Sequence, residues 1–137
     1  MHKIVRESIN MNFKRYKDLK RDLDIGIISS IQDWMEDMGI DEDDYKINDD
    51  LSIDVFRDVN LVDKHLEYLP EYINFNKVIG GFYAAGNNWK SLRGFPKEIF
   101  GDLQLRSISL PKSYSIPINF DEKEIRKSIK VYGKIYK

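Results

Sequence analysis

The densest chemistry-bearing stretch is the run Asp41, Glu42, Asp43 and Asp44, whose oxygens are the ligand type that a calcium ion takes. The spacing fails for a calcium loop, because Lys46 stands where the sharp turn of such a loop needs glycine. A solvated acidic loop is expected instead. The stretch VIGGFYAAGNN, Val78 to Asn88, is glycine-rich enough to suggest a phosphate cradle, yet it has neither GxGxxG spacing nor a following Gly-Lys-Ser/Thr. Two histidines, His2 and His65, could move protons, but neither has a partner at a useful spacing. With no cysteine there is no thiolate nucleophile and no thiolate zinc site. The expectation is therefore no enzyme: no catalytic residue, no metal and no cofactor. One constellation suits nucleic acid: Lys130, Tyr132, Lys134, Tyr136 and Lys137 interleave stacking rings with phosphate-binding ammonium groups.

Charge narrows the partner class. The 137-residue chain balances 22 Lys+Arg against 23 Asp+Glu, so no global field attracts nucleic acid or an anionic membrane. The charge is segregated, however. Residues 1 to 21 hold seven bases and two acids, residues 36 to 58 ten acids and two bases, residues 121 to 137 six bases and three acids. Complementarity within the chain is the plain reading of that basic-acidic-basic order. No run approaches the roughly 18 apolar residues that span a bilayer, and the N-terminus lacks the apolar core of a signal peptide. A cytoplasmic or virion setting is the expected location. A protein partner is expected ahead of nucleic acid; no membrane partner is expected, and a homo-oligomer is compatible.

The elements that would position any site follow from periodicity. Ile4, Val5, Ile9, Phe13, Tyr16 and Leu19 recur every three or four residues, predicting a first helix. Ile27, Ile31, Trp34, Met35 and Met38 form the stripe of a second helix, stopped at Gly39. Strands Tyr45 to Ile47 and Leu51 to Val55, joined by Asn48-Asp49-Asp50, predict a hairpin. Near the C-terminus, Asp121 as N-cap, Glu124 as its capping-box partner, and Phe120 with Ile125 as a staple predict a two-turn helix. The alternation from Val131 to Tyr136 then predicts one strand.

Between these ends the sequence repeats. Windows starting at Val55, Val78 and Ile99, offset by 23 and 21 residues, align Val55/Val78/Ile99, Val59/Phe82/Leu103, Leu61/Ala84/Leu105 and Leu66/Trp89/Leu110, all apolar. Leu69 and Leu92 extend the match between the first two windows. The pattern resembles a leucine-rich repeat, with Asn87 in the slot where an asparagine steadies the bend. NKVIGGFYAAGNNWKSLRGFPKEIFGDLQL looks like the degenerate repeats of bacteriophage-encoded proteins, as do the flanks INDDLSIDVFRDVNLVDKHLEYLP and FDEKEIRKSIKVYGKIYK. Lys64 and Ile108 depart from the asparagine slot, and Ser113 from the last leucine slot. The resemblance implies an α+β fold: N-terminal helices and a hairpin capping a short leucine-rich-repeat-like parallel β-solenoid, closed by a C-terminal helix-strand cap. One domain, 1–137, would comprise a helical part (1–39), hairpin and coils (40–118) and the cap (119–137).

In such a coil, residues flanking the buried strand positions point to an open, concave face. That selects Asp58, Asn60 and Val62; Gly81, Tyr83 and Ala85; Asp102, Gln104 and Arg106. Of these, Asp58, Asn60, Tyr83, Asp102, Gln104 and Arg106 are the candidate partner-binding residues, since Tyr and Arg often anchor interfaces. With the phage type that the resemblance implies, the expected function is a non-catalytic protein-binding module that binds or inhibits a host or defence protein, its partner coming from host or phage and its location being the host bacterial cytoplasm during infection, or a virion. The alternatives are a minor virion or assembly component and single-strand nucleic-acid binding.

Overall fold

The computed structural model describes residues 9–106 and 121–137. One helix stands where two were expected. α1 runs unbroken from Ile9 to Asp37, because a single glycine inside a helix costs only about 1 kcal/mol and the segment has no proline. At Gly26 the backbone stays helical, with the Ser30 hydroxyl donating to its carbonyl (3.2 Å) and Lys20 paired to Asp24 (3.3 Å) one turn before. Ile4 and Val5 lie outside the described residues, as do the side chains of Ile9, Phe13, Tyr16 and Leu19. The stop at Gly39 is as expected. Gly39 takes φ 78°, its N–H donates to Glu36 O (2.9 Å) and that of Ile40 to Met35 O (2.9 Å), the paired bonds of a Schellman cap. Ile40 and Met35 are both buried, which supplies the accompanying apolar contact.

The acidic run is a single 3₁₀ turn, Glu42–Asp44, capped by Asp41. β1 (Tyr45–Ile47) and β2 (Ile53–Val55) follow as an antiparallel hairpin in the register Lys46↔Asp54. Its second strand is two residues shorter than expected. The Asp50 carboxylate accepts from both the N–H (3.0 Å) and the hydroxyl (2.6 Å) of Ser52, bending the chain through Leu51 at φ 69°.

Short strands then alternate between two sheets: β3 (Val59–Asn60), β4 (Phe75–Val78), β5 (Phe82–Tyr83), β6 (Glu98–Ile99) and β7 (Leu103–Gln104). After α2 (Glu122–Ser128) come β8 (Lys130–Val131) and β9 (Ile135–Tyr136). Sheet one has the order β1-β2-β4-β6-β8, parallel except for β1, and sheet two is β3-β5-β7-β9, wholly parallel. The architecture is α+β. Val59, Phe82 and Leu103 lie side by side, as do Val78 and Ile99, at the offsets read from the sequence.

The single strand expected over Val131 to Tyr136 is instead two, one in each sheet. Val131 pairs with Ile99 and Ile135 with Leu103, so VYGKI is a fourth rung equivalent to VFRDV, VIGGF and IFGDL. The reason for the break is a corner. Each rung turns from one sheet to the other in three residues, and the middle ones of the last three rungs stack as a column of Gly80, Gly101 and Gly133, with Arg57 at that place in the first. The N–H of Gly101 donates to Gly80 O (2.8 Å) and that of Gly133 to Gly101 O (3.1 Å). A Cβ on Gly101 would lie 2.8 Å from the Gly80 carbonyl carbon, so the column packs backbone on backbone.

α2 starts at Asp121, but not as a capping box. The Asp121 side chain accepts from Lys123 N–H (3.3 Å), and Glu124 turns outward to Lys127 (3.2 Å). Phe120, Ile108, Leu110 and Ser113 lie outside the described residues. Ile125 is buried and joins one core cluster with the inward residues of both sheets and with Ile31, Trp34 and Met35 of α1. A chain of rings crosses that core: Trp34–Phe75 (6.3 Å), Phe75–Phe82 (5.5 Å), Phe82–Phe95 (5.1 Å) and Phe95–Trp89 (4.9 Å). The Trp89 indole N–H donates to Ala84 O (2.8 Å), so the largest buried side chain leaves no polar atom unpaired.

Candidate functional site: two outer sheet faces

Strand alternation puts two rows of residues on the outer face of sheet two. One row is Asp58, Gly81, Asp102 and Lys134; the other is Asn60, Tyr83, Gln104 and Tyr136. The carboxylates of the first row are braces. Asp58 Oδ1 accepts from the N–H of Gly81 (2.7 Å) and Asp102 Oδ1 from that of Lys134 (2.8 Å), each tying its rung to the next. Tyr83 lies across the glycine between them: a Cβ on Gly81 would be 2.5 Å from the Tyr83 hydroxyl oxygen. Burial under these neighbours, then the charges of Asp58 and Asp102, raise the Tyr83 phenol above its usual range.

The other members of the expected face differ in exposure. Asn60 is exposed, and its Oδ1 accepts from Val62 N–H (3.0 Å). Gln104 is half-buried beside Tyr136, which forms a fourth position on this face that the three-window alignment left out. Arg106 Nε donates to Lys137 O (2.8 Å). Gly81 and Ala85 are buried and offer no side-chain surface.

The bend beyond this face is held by Asn87. Its Oδ1 accepts from Lys64 N–H (3.0 Å) and Leu66 N–H (2.9 Å), while its amide donates to Leu61 O (2.7 Å), Ala84 O (3.1 Å) and Ala85 O (3.2 Å). The residue therefore knits two successive rungs. Asp63 and His65 flank the bend with positive φ, 55° and 59°, and His65 is exposed. His2 lies outside the described residues.

The outer face of sheet one was not singled out by the sequence reading. Its inward residues are Val55, Val78, Ile99 and Val131, so the next residue of each rung points outward: Phe56, Ile79, Phe100 and Tyr132, between 42% and 55% exposed. Phe100 and Tyr132 stack with centroids 4.9 Å apart and planes 6° from parallel, and the Tyr132 hydroxyl donates to Glu98 (2.8 Å). Beside this apolar row runs a charged one of alternating sign, Lys46, Asp54, Lys77, Glu98 and Lys130, interrupted by a bulge at Asp54, whose carboxylate accepts from the Asn76 amide (2.9 Å) and the Lys77 N–H (3.2 Å). Reading one position past each aligned apolar residue would have found both faces.

The corner also divides the lysine-tyrosine constellation. Lys130 and Tyr132 stand on sheet one, with the Lys130 ammonium 5.1 Å from the Tyr132 ring centre, whereas Lys134 and Tyr136 stand on sheet two. The Tyr132 phenol oxygen, and after it the Glu98 carboxylate, hold the Lys130 ammonium above its usual range. The two rings do not form one stacking platform.

Two clefts lie among the described residues as well. One of about 610 Å³ lies between the end of α1 and β1, lined by Asp33, Glu36, Asp41, Glu42 and Tyr45. The other, about 270 Å³, is lined by Asp50, Ser52, Phe95 and Lys97. Among the described residues no three His, Asp or Glu side chains group closely enough to hold a metal ion, and no helix is long and apolar enough to cross a membrane. No protein-family model, curated protein or solved structure matches the chain.

Proposed function

We propose that the chain is a non-catalytic protein-binding module of bacteriophage type, a short leucine-rich-repeat-like stack whose sheet-two outer face takes up a segment of a host or defence protein. The observation that carries this reading is the row Asn60, Tyr83, Gln104 and Tyr136. Adjacent parallel strands, about 4.8 Å apart, bring amide and phenol groups from four separate rungs onto one face. Tyrosines held on a rigid sheet lose little entropy on contact and present both an apolar ring and a hydroxyl. The carboxylates of the face support binding over acid/base chemistry, since Asp58 and Asp102 are engaged with backbone N–H groups. The setting is the cytoplasm of the infected cell.

Affinity capture from host lysate with the wild-type chain and with Tyr83→Ala and Arg106→Ala tests the reading. A partner held by the wild type and lost or weakened at least tenfold by either variant supports it. Equal retention by both variants removes the face from the interaction. Recovery of the chain in purified particles would favour a virion component instead, and retention of single-stranded DNA at low salt only would favour nucleic acid.

A further inference from the structure

The last rung is closed on one sheet and open on the other. In sheet one the Val55 carbonyl accepts from Ile79 N–H (2.8 Å), that of Val78 from Phe100 N–H (3.0 Å) and that of Ile99 from Tyr132 N–H (3.0 Å). Val131 comes next, and the Arg126 side chain stands in for the missing strand: Nη1 donates to Val131 O (2.8 Å) and Nη2 to Gly133 O (3.3 Å). Sheet two has the same ladder with no such plug among the described residues. Val59 N–H donates to Gly81 O (2.9 Å), Phe82 N–H to Asp102 O (2.8 Å) and Leu103 N–H to Lys134 O (2.9 Å), and Leu61, Ala84 and Leu105 repeat this two residues on. The N–H groups of Ile135 and Lys137 are next in line. They point off the β9 edge, and no described residue accepts from either. Burial shows the same gap: Val59, Phe82 and Leu103 are wholly buried, whereas Ile135, next in their column, is half-buried.

A strand edge with unpaired donors and a partly uncovered apolar side chain is a template for another strand. Charge says which kind. The rung from Lys130 to Lys137 holds three lysines and no acid, and Lys134 and Lys137 are exposed on either side of Ile135. The acids of the flanking helix are engaged within it, Asp121 as its cap, Glu122 with Arg126 and Glu124 with Lys127. Asp102, one strand in, already accepts from the Lys134 N–H. Two such lysine edges repel each other, whereas an acidic strand meets complementary charge. We propose that the β9 edge takes an acidic, extended segment of the partner protein as a fifth strand of sheet two, with an apolar residue beside Ile135 and carboxylates beside the lysines. This rests on the protein-binding reading above and deepens it, since the edge adjoins Tyr136 and Gln104 of the proposed face.

Amide NMR on the full chain at low salt tests this with two synthetic peptides at millimolar concentration, acetyl-Thr-Glu-Val-Glu-Thr-amide and acetyl-Thr-Lys-Val-Lys-Thr-amide. In the free chain the Ile135 N–H should exchange as an open amide does. The acidic peptide should move that amide downfield, slow its exchange, and bind at least about fivefold tighter than the lysine peptide. Lys134→Glu should reverse the preference, an outcome that misfolding cannot produce. An Ile135 N–H protected in the free chain, growth of the chain alone into larger species, no shift with either peptide, or indifference to peptide charge would each overturn the proposal. Shifts centred on Tyr83 and Gln104 with the Ile135 amide unmoved would overturn it while leaving the face reading intact. The Ile135 response together with lysate capture indifferent to Tyr83→Ala and Arg106→Ala would support the edge and remove only the face.

Discussion

Asn87→Ala probes the junction between rungs. The Ala84 and Ala85 carbonyls keep other donors, the Trp89 indole and the Asp63 N–H. Three groups lose the partner that Asn87 supplied: the Lys64 and Leu66 N–H groups and the Leu61 carbonyl. Asn87 is half-buried, so water reaches part of the gap, and about 1 kcal/mol for each orphaned group is the appropriate end of the range. The expected loss is about 3 kcal/mol, more than a hundredfold in the folding equilibrium. Urea unfolding followed by tryptophan fluorescence would read this as a midpoint about 1.5 M lower, for a slope near 2 kcal/mol/M. Asn87→Asp refines the test. It keeps both acceptor bonds but sets a carboxylate oxygen against the Leu61 carbonyl, so the folded state favours the protonated acid and raises its pKa. The stabilising share of that group is complete below the unfolded value of about 3.9 and lost as pH rises through the folded one. The aspartate variant should therefore approach wild-type stability on acidification, whereas the alanine variant should not. A loss under about 0.5 kcal/mol for Asn87→Ala, at unchanged slope, would refute the idea that this side chain joins the rungs.

Two further predictions rest on local geometry. Gly26→Ala meets nothing within 4 Å on an exposed helix and should stabilise the protein by about 0.5–1 kcal/mol. Gly101→Ala drives a methyl into the Gly80 backbone and should destabilise it by about 1–3 kcal/mol; thermal melts of the two variants should move in opposite directions. The Asp50 carboxyl is held below its usual range by the Ser52 hydroxyl, then by the Ser52 N–H, against a smaller opposing effect of burial. A depressed carboxylate stabilises the fold above its unfolded pKa and loses that contribution as pH falls through the folded value. NMR titration should find Asp50 below the normal aspartate range, and Ser52→Ala should move it back up.

The interior was more legible in the sequence than the surface was. Val59, Phe82 and Leu103 share a register because each rung must bury one residue at that point, and burial writes itself into residue type at a fixed offset. The fourth rung escaped because the helix and its preceding segment stretch the offset from Ile99 to Val131 to 32 residues. The corner misled as well. Val131, Gly133 and Ile135 alternate like a strand, yet the same spacing serves a bend when glycines stack. On the helical side, two apolar stripes were read as two helices although nothing crowds or terminates the single helix at Gly26 between them. The expected binding residues were named one sheet at a time, so the Phe56–Tyr132 face went unseen although its residues sit one place after the aligned ones.

The most direct measurement of the binding claim is site-specific photocrosslinking in host lysate. Benzophenone side chains are placed singly at Gln104, on the sheet-two face beside Tyr83, and at Asp49, exposed in the hairpin turn as a control. One polypeptide adduct formed at position 104, absent at 49 and suppressed by excess unlabelled wild type, is the expected result. Identical adduct patterns at both positions, or none at 104, would contradict it.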